Sequence, residues 1–230
     1  MMAMIPARRL QGAALASLAA LSLSLATAAE TDPFDDDSLW EPPRSESNRG
    51  ALNFLTDPPE DPVHHHHNQI IVMASSLDDG WVTLRQCHND IDRVGRAQIL
   101  YNGDTTRDLE IESQNNIEET WVDGASVQLR EVQPDAELCV NARSKMLQVL
   151  DDGEYLLENG PFMRRYLDGY FPMRVTVAVS WGDLDLSLAE SEPQSQPGFE
   201  VTESPHGVIL ETTFEGRLKT ALRLVNGEGS

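Results

Sequence analysis

The sequence predicts an all-β domain, an antiparallel β-sandwich or open barrel with one or two short helices, preceded by a disordered acidic, proline-rich linker. Three observations carry this. From Asn68 onward, short runs of alternating or β-branched residues recur at close intervals. Turn dipeptides separate many of them: Asn102-Gly103, Asp123-Gly124, Asp152-Gly153 and Trp181-Gly182. Two cysteines, Cys87 and Cys139, both fall inside the strand-rich stretch.

The first 28 residues read as a secretory signal peptide. Arg8 and Arg9 open it, an apolar run of Ala, Leu and Ser fills Leu10 to Ala26, and Ala26-Thr27-Ala28 closes it with small residues. Cleavage is expected before Ala29 or Glu30. Arg8-Arg9 continues as Leu10-Gln11-Gly12, a poor twin-arginine signal, so the general secretory route is expected. No later segment is long and apolar enough to span a bilayer. The expected location is the periplasm of a bacterium-like cell, or the medium outside it.

Residues 29–63 form the expected linker. They hold Asp35-Asp36-Asp37, Pro42-Pro43, Pro58-Pro59 and Pro62, and no regular apolar period. Such composition buries too little surface to offset the entropy of ordering. Two apolar islands, Leu39-Trp40 and Leu52–Leu55, are the parts able to dock onto the domain.

A single β-rich domain is expected over 64–230. The candidate strands are Gln69–Ala74, Trp81–Cys87, Ala97–Tyr101, Asp108–Glu112, Glu119–Val122, Ser126–Val132 and Glu137–Ala142. Met173–Trp181, Asp183–Leu188, Gly198–Val201, Val208–Phe214 and Arg217–Val225 follow. Lys145–Leu150 and Pro161–Leu167 are the two places where a short helix fits. Trp81, Trp121 and Trp181 are expected in the core rather than on a sugar-binding platform. An even cysteine count in an exported chain predicts one structural disulfide, Cys87–Cys139. There is no Cys-x-x-Cys, so thiol exchange is not expected.

Charge excludes one class of partner. The chain has 38 acidic and 17 basic residues, a formal charge of −21. Without residues 1–28 the charge becomes −23, because Arg8 and Arg9 leave with no acid. A surface of that sign repels nucleic acids and anionic lipid headgroups. The acids are dispersed, with no calcium-loop spacing. Only Lys145 and Lys219 are lysines, and abundant acid with scarce lysine suits salty surroundings.

Catalytic signatures are sparse. There is no Gly-x-Ser-x-Gly, no His-Glu-x-x-His, no phosphate-cradling glycine loop and no Cys/His zinc spacing. His206 follows Ser204-Pro205, which does not define a serine–histidine pair. A hydrolase of unspecified class is therefore the third expectation, behind two binding roles.

The run His64–His67 is the first feature with chemical content. A symmetric turn at Ser75–Gly80 sets His67 opposite His88 and His65 opposite Asp90, with Cys87 on the other face. His65, His67, His88 and Asp90 then form a rim suited to a divalent transition metal such as Zn²⁺, Cu²⁺ or Ni²⁺. A one-residue slip in register scatters that set.

The second feature is Gly160–Met173, which packs Phe162, Met163, Arg164, Arg165, Tyr166, Tyr170 and Phe171 into one glycine- and proline-bracketed stretch. Aromatics, Met and Arg are enriched at interface cores, making this the candidate partner surface. The competing reading is a short helix that plugs the sandwich, its arginines bonded locally. The leading expectation is thus a non-catalytic exported β-sandwich that binds a ligand or envelope protein, with a metal-binding protein as the alternative.

Overall fold

Strands dominate because β-branched and alternating segments follow one another without a single helical period. The computed structural model describes residues 50–227 apart from Pro58, Asp152, Leu167 and Asp168. The expected signal peptide and the first part of the expected linker lie outside the described residues.

In chain order come β1 (Asn53–Phe54), β2 (His65–Ile71), one helical turn α1 (Ser76–Asp79), β3 (Trp81–Ile91) and β4 (Val94–Leu100). The two longest strands follow, β5 (Thr106–Asp123) and β6 (Ser126–Lys145). After them run β7 (Leu147–Asp151), β8 (Glu154–Phe162), β9 (Arg164–Tyr166) and β10 (Gly169–Phe171). β11 (Met173–Ser180), β12 (Leu186–Glu192), β13 (Phe199–Ser204), β14 (Gly207–Glu215) and β15 (Leu218–Asn226) complete the fold.

The larger sheet has the order β1-β14-β11-β2-β3-β6-β4, with β13 also on β14 and β5 also on β6. All its pairs are antiparallel except β2 with β11, which run parallel. The smaller sheet, β12-β15-β8-β7, is antiparallel throughout. Alternation along β15 shows how the sheets meet: Leu218, Thr220, Leu222 and Leu224 are buried, while residues between them are more exposed. They join Ile70, Val82, Val177, Leu210 and Phe214 of the larger sheet in one core. The all-β sandwich is thereby present, with a mixed rather than purely antiparallel main sheet.

A second apolar cluster sits further along the same sheet, from Ile117, Val127, Leu129 and Val132 to Leu138 and Val140. It exists because β6 folds back on itself. Tyr101 N–H donates to Ala125 O at 2.9 Å, while Lys145 N–H donates to Thr105 O at 2.8 Å. Tyr101 and Thr105 are close in sequence and span at most roughly 14 Å. A straight strand of 20 residues would separate its ends by roughly 65 Å. β6 must therefore bend. The bend is built at residues with positive φ, Glu131 at 51° and Asp135 at 56° on β6, with Asn116 at 55° opposite on β5. Asn116 Nδ2 donates to both Pro134 O and Asp135 O at 3.2 Å, which fixes it.

Cys87 and Cys139 are bonded, directly opposite one another on β3 and β6 with Cα atoms 4.1 Å apart. Two expected helices are strands instead. Lys145 ends β6 and residues 147–150 lie in β7, while Pro161 and Phe162 end β8 and Arg164–Tyr166 form β9. Edge pairing and burial of Leu147 outweigh the helix-forming Met, Leu and Gln there. Within the expected linker, Asn53 and Phe54 form β1 against Glu215 and Phe214, and the Phe54 ring lies 5.2 Å from that of Phe199. Among the described residues no helix is long and apolar enough to cross a membrane.

Candidate functional site: a polar patch between two cores

Four neighbouring strands build the site by simple alternation. Along the inner face, residues pair across β11, β2, β3 and β6 in successive rungs. One rung is Val179–Ile70–Leu84–Ala142, wholly apolar. The next is Val177–Asn68–Gln86–Val140, and the one beyond it Val175–His66–His88–Leu138. A polar square thus interrupts an apolar face, flanked on both sides by Val and Leu that are at most 1% exposed. Asn68, Gln86 and His88 are themselves 3%, 7% and 5% exposed. His64, one residue before β2, continues the same face.

Inside the patch the hydrogen bonds are short of partners. His64 Nε2 and His88 Nδ1 lie 2.9 Å apart, sharing one hydrogen. His66 Nε2 is 2.9 Å from Asn68 Oδ1 and 2.7 Å from Gln86 Nε2. A neutral Nε2 carries either a hydrogen or a lone pair, so it serves only one of an amide oxygen and an amide nitrogen. Gln86 Oε1 and His88 Nε2 are buried with no partner among the described protein atoms. Buried polar atoms are nearly always paired, because leaving one unpaired costs about 1–3 kcal/mol.

These imidazoles are uncharged. Burial holds His66 down to about 3 and His64 to about 4, and pushes His88 well below its ordinary value. For His64, Asp92 partly opposes the burial and Arg164 adds to it.

Over the patch opens a cleft of about 570 Å³. Its walls come from β4 and the turn after it, through Gln98 and Tyr101, and from β8, through Asn159 and Phe162. The Phe162 ring meets His66 edge-on at 4.9 Å. Tyr101 OH and Asn159 Nδ2 are also buried without a partner. Four of the five such side-chain atoms among the described residues are therefore carried by residues that line this cleft. Apart from the neutral histidines, its ionisable lining is Lys145, Glu158 and Tyr101, whose hydroxyl burial pushes up. A second open depression, about 480 Å³ around Phe199 and Glu211, has no such atom.

The expected metal rim is not assembled. His66, rather than His67, pairs with His88, and His67 stands opposite Cys87. His65 and His67 lie on the outer face, their rings stacked at 6.0 Å, with His65 Nε2 2.9 Å from Thr176 Oγ1. Burial and Arg174 lower His65 to about 4, while burial and Arg85 lower His67. Asp90, at φ 52°, lies beyond a register shift and lines a small depression with His65. His88 alone of the four faces inward. The cause is α1: its hydrogen bonds, Gly80 N–H to Ser76 O and Ser76 Oγ–H to Trp81 O, move the pairing by one residue. Among the described residues no group of three or more His, Cys, Asp or Glu stands in an arrangement that holds a metal. His64 and His66 belong to the histidine run but not to the expected rim, and Asn68, Gln86, Tyr101 and Asn159 carry no sequence motif. Polar residues breaking the Val82–Leu84 alternation at Gln86 and His88 were the available signal.

The candidate partner surface is a hairpin, β9 with β10, rather than a helix. Arg164 donates to both Asp92 oxygens, at 2.9 Å from Nε and 2.5 Å from Nη2, and from Nη1 to Pro172 O at 3.0 Å. The Tyr166 hydroxyl donates to the same carboxylate. Burial would raise the Asp92 pKa, but these bonds hold it below the ordinary range. Tyr166 is pushed up to about 12 by burial and by Asp92. Arg165 remains exposed, its guanidinium 5.6 Å from the Tyr170 ring centre. Phe162 and Tyr170 are buried, Met163 and Phe171 half-buried, and Tyr166 exposed.

No protein-family model and no curated protein matches the chain. Among solved structures it is similar to the M1 zinc metallopeptidase from Deinococcus radiodurans, at 14% identity and a TM-score of 0.39. That likeness covers 71% of this chain and spans 42% of the peptidase chain, and at this score it bears on neither fold nor function.

Proposed function

We propose that the chain is an exported, non-catalytic binding module of the periplasm or cell exterior, which holds a polar ligand in the cleft over His66 and Gln86 and serves an envelope partner. One observation carries the reading: four of the residues that line one cleft each hold a buried, unpartnered polar atom. A bound ligand supplies the missing partners, as ligand pockets use few placed polar groups on an apolar wall. The groups gathered are two carboxamides, a neutral imidazole and the Tyr101 phenol, which recognise well and offer no activated nucleophile. Export rests on the N-terminal 28 residues and on the disulfide, which suits an oxidising compartment.

The test is native mass spectrometry of the chain recovered from its source cell without metal resin. A mature N-terminus at Ala29 or Glu30, with a bound small molecule that is lost in the cleft-blocking variant Asn159→Trp, is expected. An N-terminus at Met1, or an identical bare mass for both proteins, sinks the reading.

A divalent metal is the second reading, favoured by two neutral imidazoles already 2.9 Å apart, His64 and His88. Stoichiometric zinc or copper in the recovered protein, absent from His88→Ala, would replace the first reading with this one.

A further inference from the structure

Resting on the binding-module reading, we infer that the ligand of this cleft is an uncharged, hydroxyl-rich molecule, a neutral saccharide. Three observations on the site lead there. The first is charge. The chain carries 38 acidic residues, yet Glu158 is the only carboxylate among the cleft's lining residues, and Lys145 offsets it. An anion finds one ammonium and no cluster, and a cation finds one carboxylate. The cleft lining is close to neutral in a strongly acidic protein.

The second is the kind of polar group left over. Gln86 Oε1 accepts, Asn159 Nδ2 donates, and Tyr101 OH does either. A molecule of one sign of hydrogen-bonding capacity cannot satisfy all three. A hydroxyl both donates and accepts, so a set of hydroxyls on one rigid ring answers mixed amides directly. Asn68, Gln98, Asn102 and Gln148 add four more carboxamides to the same lining.

The third is the apolar flank. Phe162, Leu84, Ile99 and Met173 line the cleft beside the amides. Saccharide rings present C–H faces next to their hydroxyls, and this pairing of apolar wall with convergent amides fits both parts of such a molecule. At about 570 Å³ the cleft lies within the range of small-molecule sites.

The experiment screens the mature protein on an array carrying neutral and acidic glycans, then titrates the best neutral glycan by calorimetry. Binding to neutral glycans is expected, with affinity changing less than about twofold between low and moderate salt, because no ion pair is involved. Tyr101→Phe removes one hydroxyl and is expected to weaken binding about tenfold with the melting temperature unchanged. Gln86→Leu, which replaces a buried amide with an apolar group, is expected to lose binding and keep the fold. Signal confined to acidic glycans, a blank array, or full affinity in both variants overturns the saccharide. A non-saccharide mass bound in the cleft would overturn it while leaving the binding module standing. No bound mass and a blank array together remove both.

Discussion

His66 and His88 stand directly opposite one another on β2 and β3, their ring centres 4.5 Å apart, both on the face turned toward the core. Two facing imidazoles at a sheet's interior are costly unless both stay neutral, and burial keeps them so. That relation makes stability depend on pH in a defined window.

The unfolded chain takes up protons on these histidines as pH falls through about 6.5, whereas folded His64 does so near 4 and His66 near 3. Their contribution is fully present above 6.5 and is lost as pH drops toward 4 for His64 and toward 3 for His66. Each imidazole adds a slope of up to about 1.4 kcal/mol per pH unit there. Urea melts between pH 7 and pH 4 should show this decline. His66→Gln should make it shallower by one imidazole's share, the other lowered histidines keeping the rest, and an unchanged slope in that variant would count against the buried neutral pair.

Breaking the disulfide should cost stability without abolishing the fold. Cys87 and Cys139 are 52 residues apart, for which loop-closure entropy gives about 4 kcal/mol as an upper figure. Calorimetry of Cys87→Ser/Cys139→Ser measures it. A variant as stable as the parent contradicts the assignment.

The paired arginines should separate under mutation. Arg164→Gln removes three hydrogen bonds, two of them to a carboxylate, and is expected to lower stability by about 1–3 kcal/mol. Arg165→Gln, exposed beside Tyr170, should change it by less than about 0.5 kcal/mol. Chemical crosslinking in the source cell then tests whether Arg165 and Tyr166 meet a partner. Unchanged crosslinks in Arg165→Glu/Tyr166→Ala would remove the hairpin from any interface.

Deleting residues up to Val63 should uncover Phe199 and Phe214, because Phe54 packs on the first and pairs with the second. A loss of about 1–3 kcal/mol is expected, the scale of burying one large apolar side chain. If a chain beginning at His64 melts like the longer one, β1 contributes nothing.

Much of the fold was legible because alternation and turn dipeptides are local signals. β3, β11, β14 and β15 fall on segments that announce themselves with Val, Ile and Thr. β8 did not, since Glu154–Phe162 contains no β-branched residue and is held by pairing with β15. β5 and β6 were each read as two strands, because Asn116 and Asp135 look like turns and are bulges within continuous strands. The site was legible in its residue types and not in its geometry. Ser75–Gly80 resembles a symmetric turn, and only the hydrogen bonds of α1 decide that His66 rather than His67 meets His88. Tyr101 and Asn159 reach the cleft through the bend of β6 and the stacking of two sheets, which no local pattern encodes.

The covalent bond has a consequence that lies on the opposite side of the sheet from itself. Cys87 sits between Gln86 and His88, and a strand offers alternate residues to alternate faces. Tying Cys87 to Cys139 on the outside therefore fixes the parity of β3 against β6: with those two out, Gln86 and His88 are in, beside Val140 and Leu138. A polar rung supplies little apolar contact to tell one register from its neighbour, so parity is least well determined by packing at this place. The crosslink settles by covalent means, where hydrophobic sorting is weakest, which set of side chains faces the cleft.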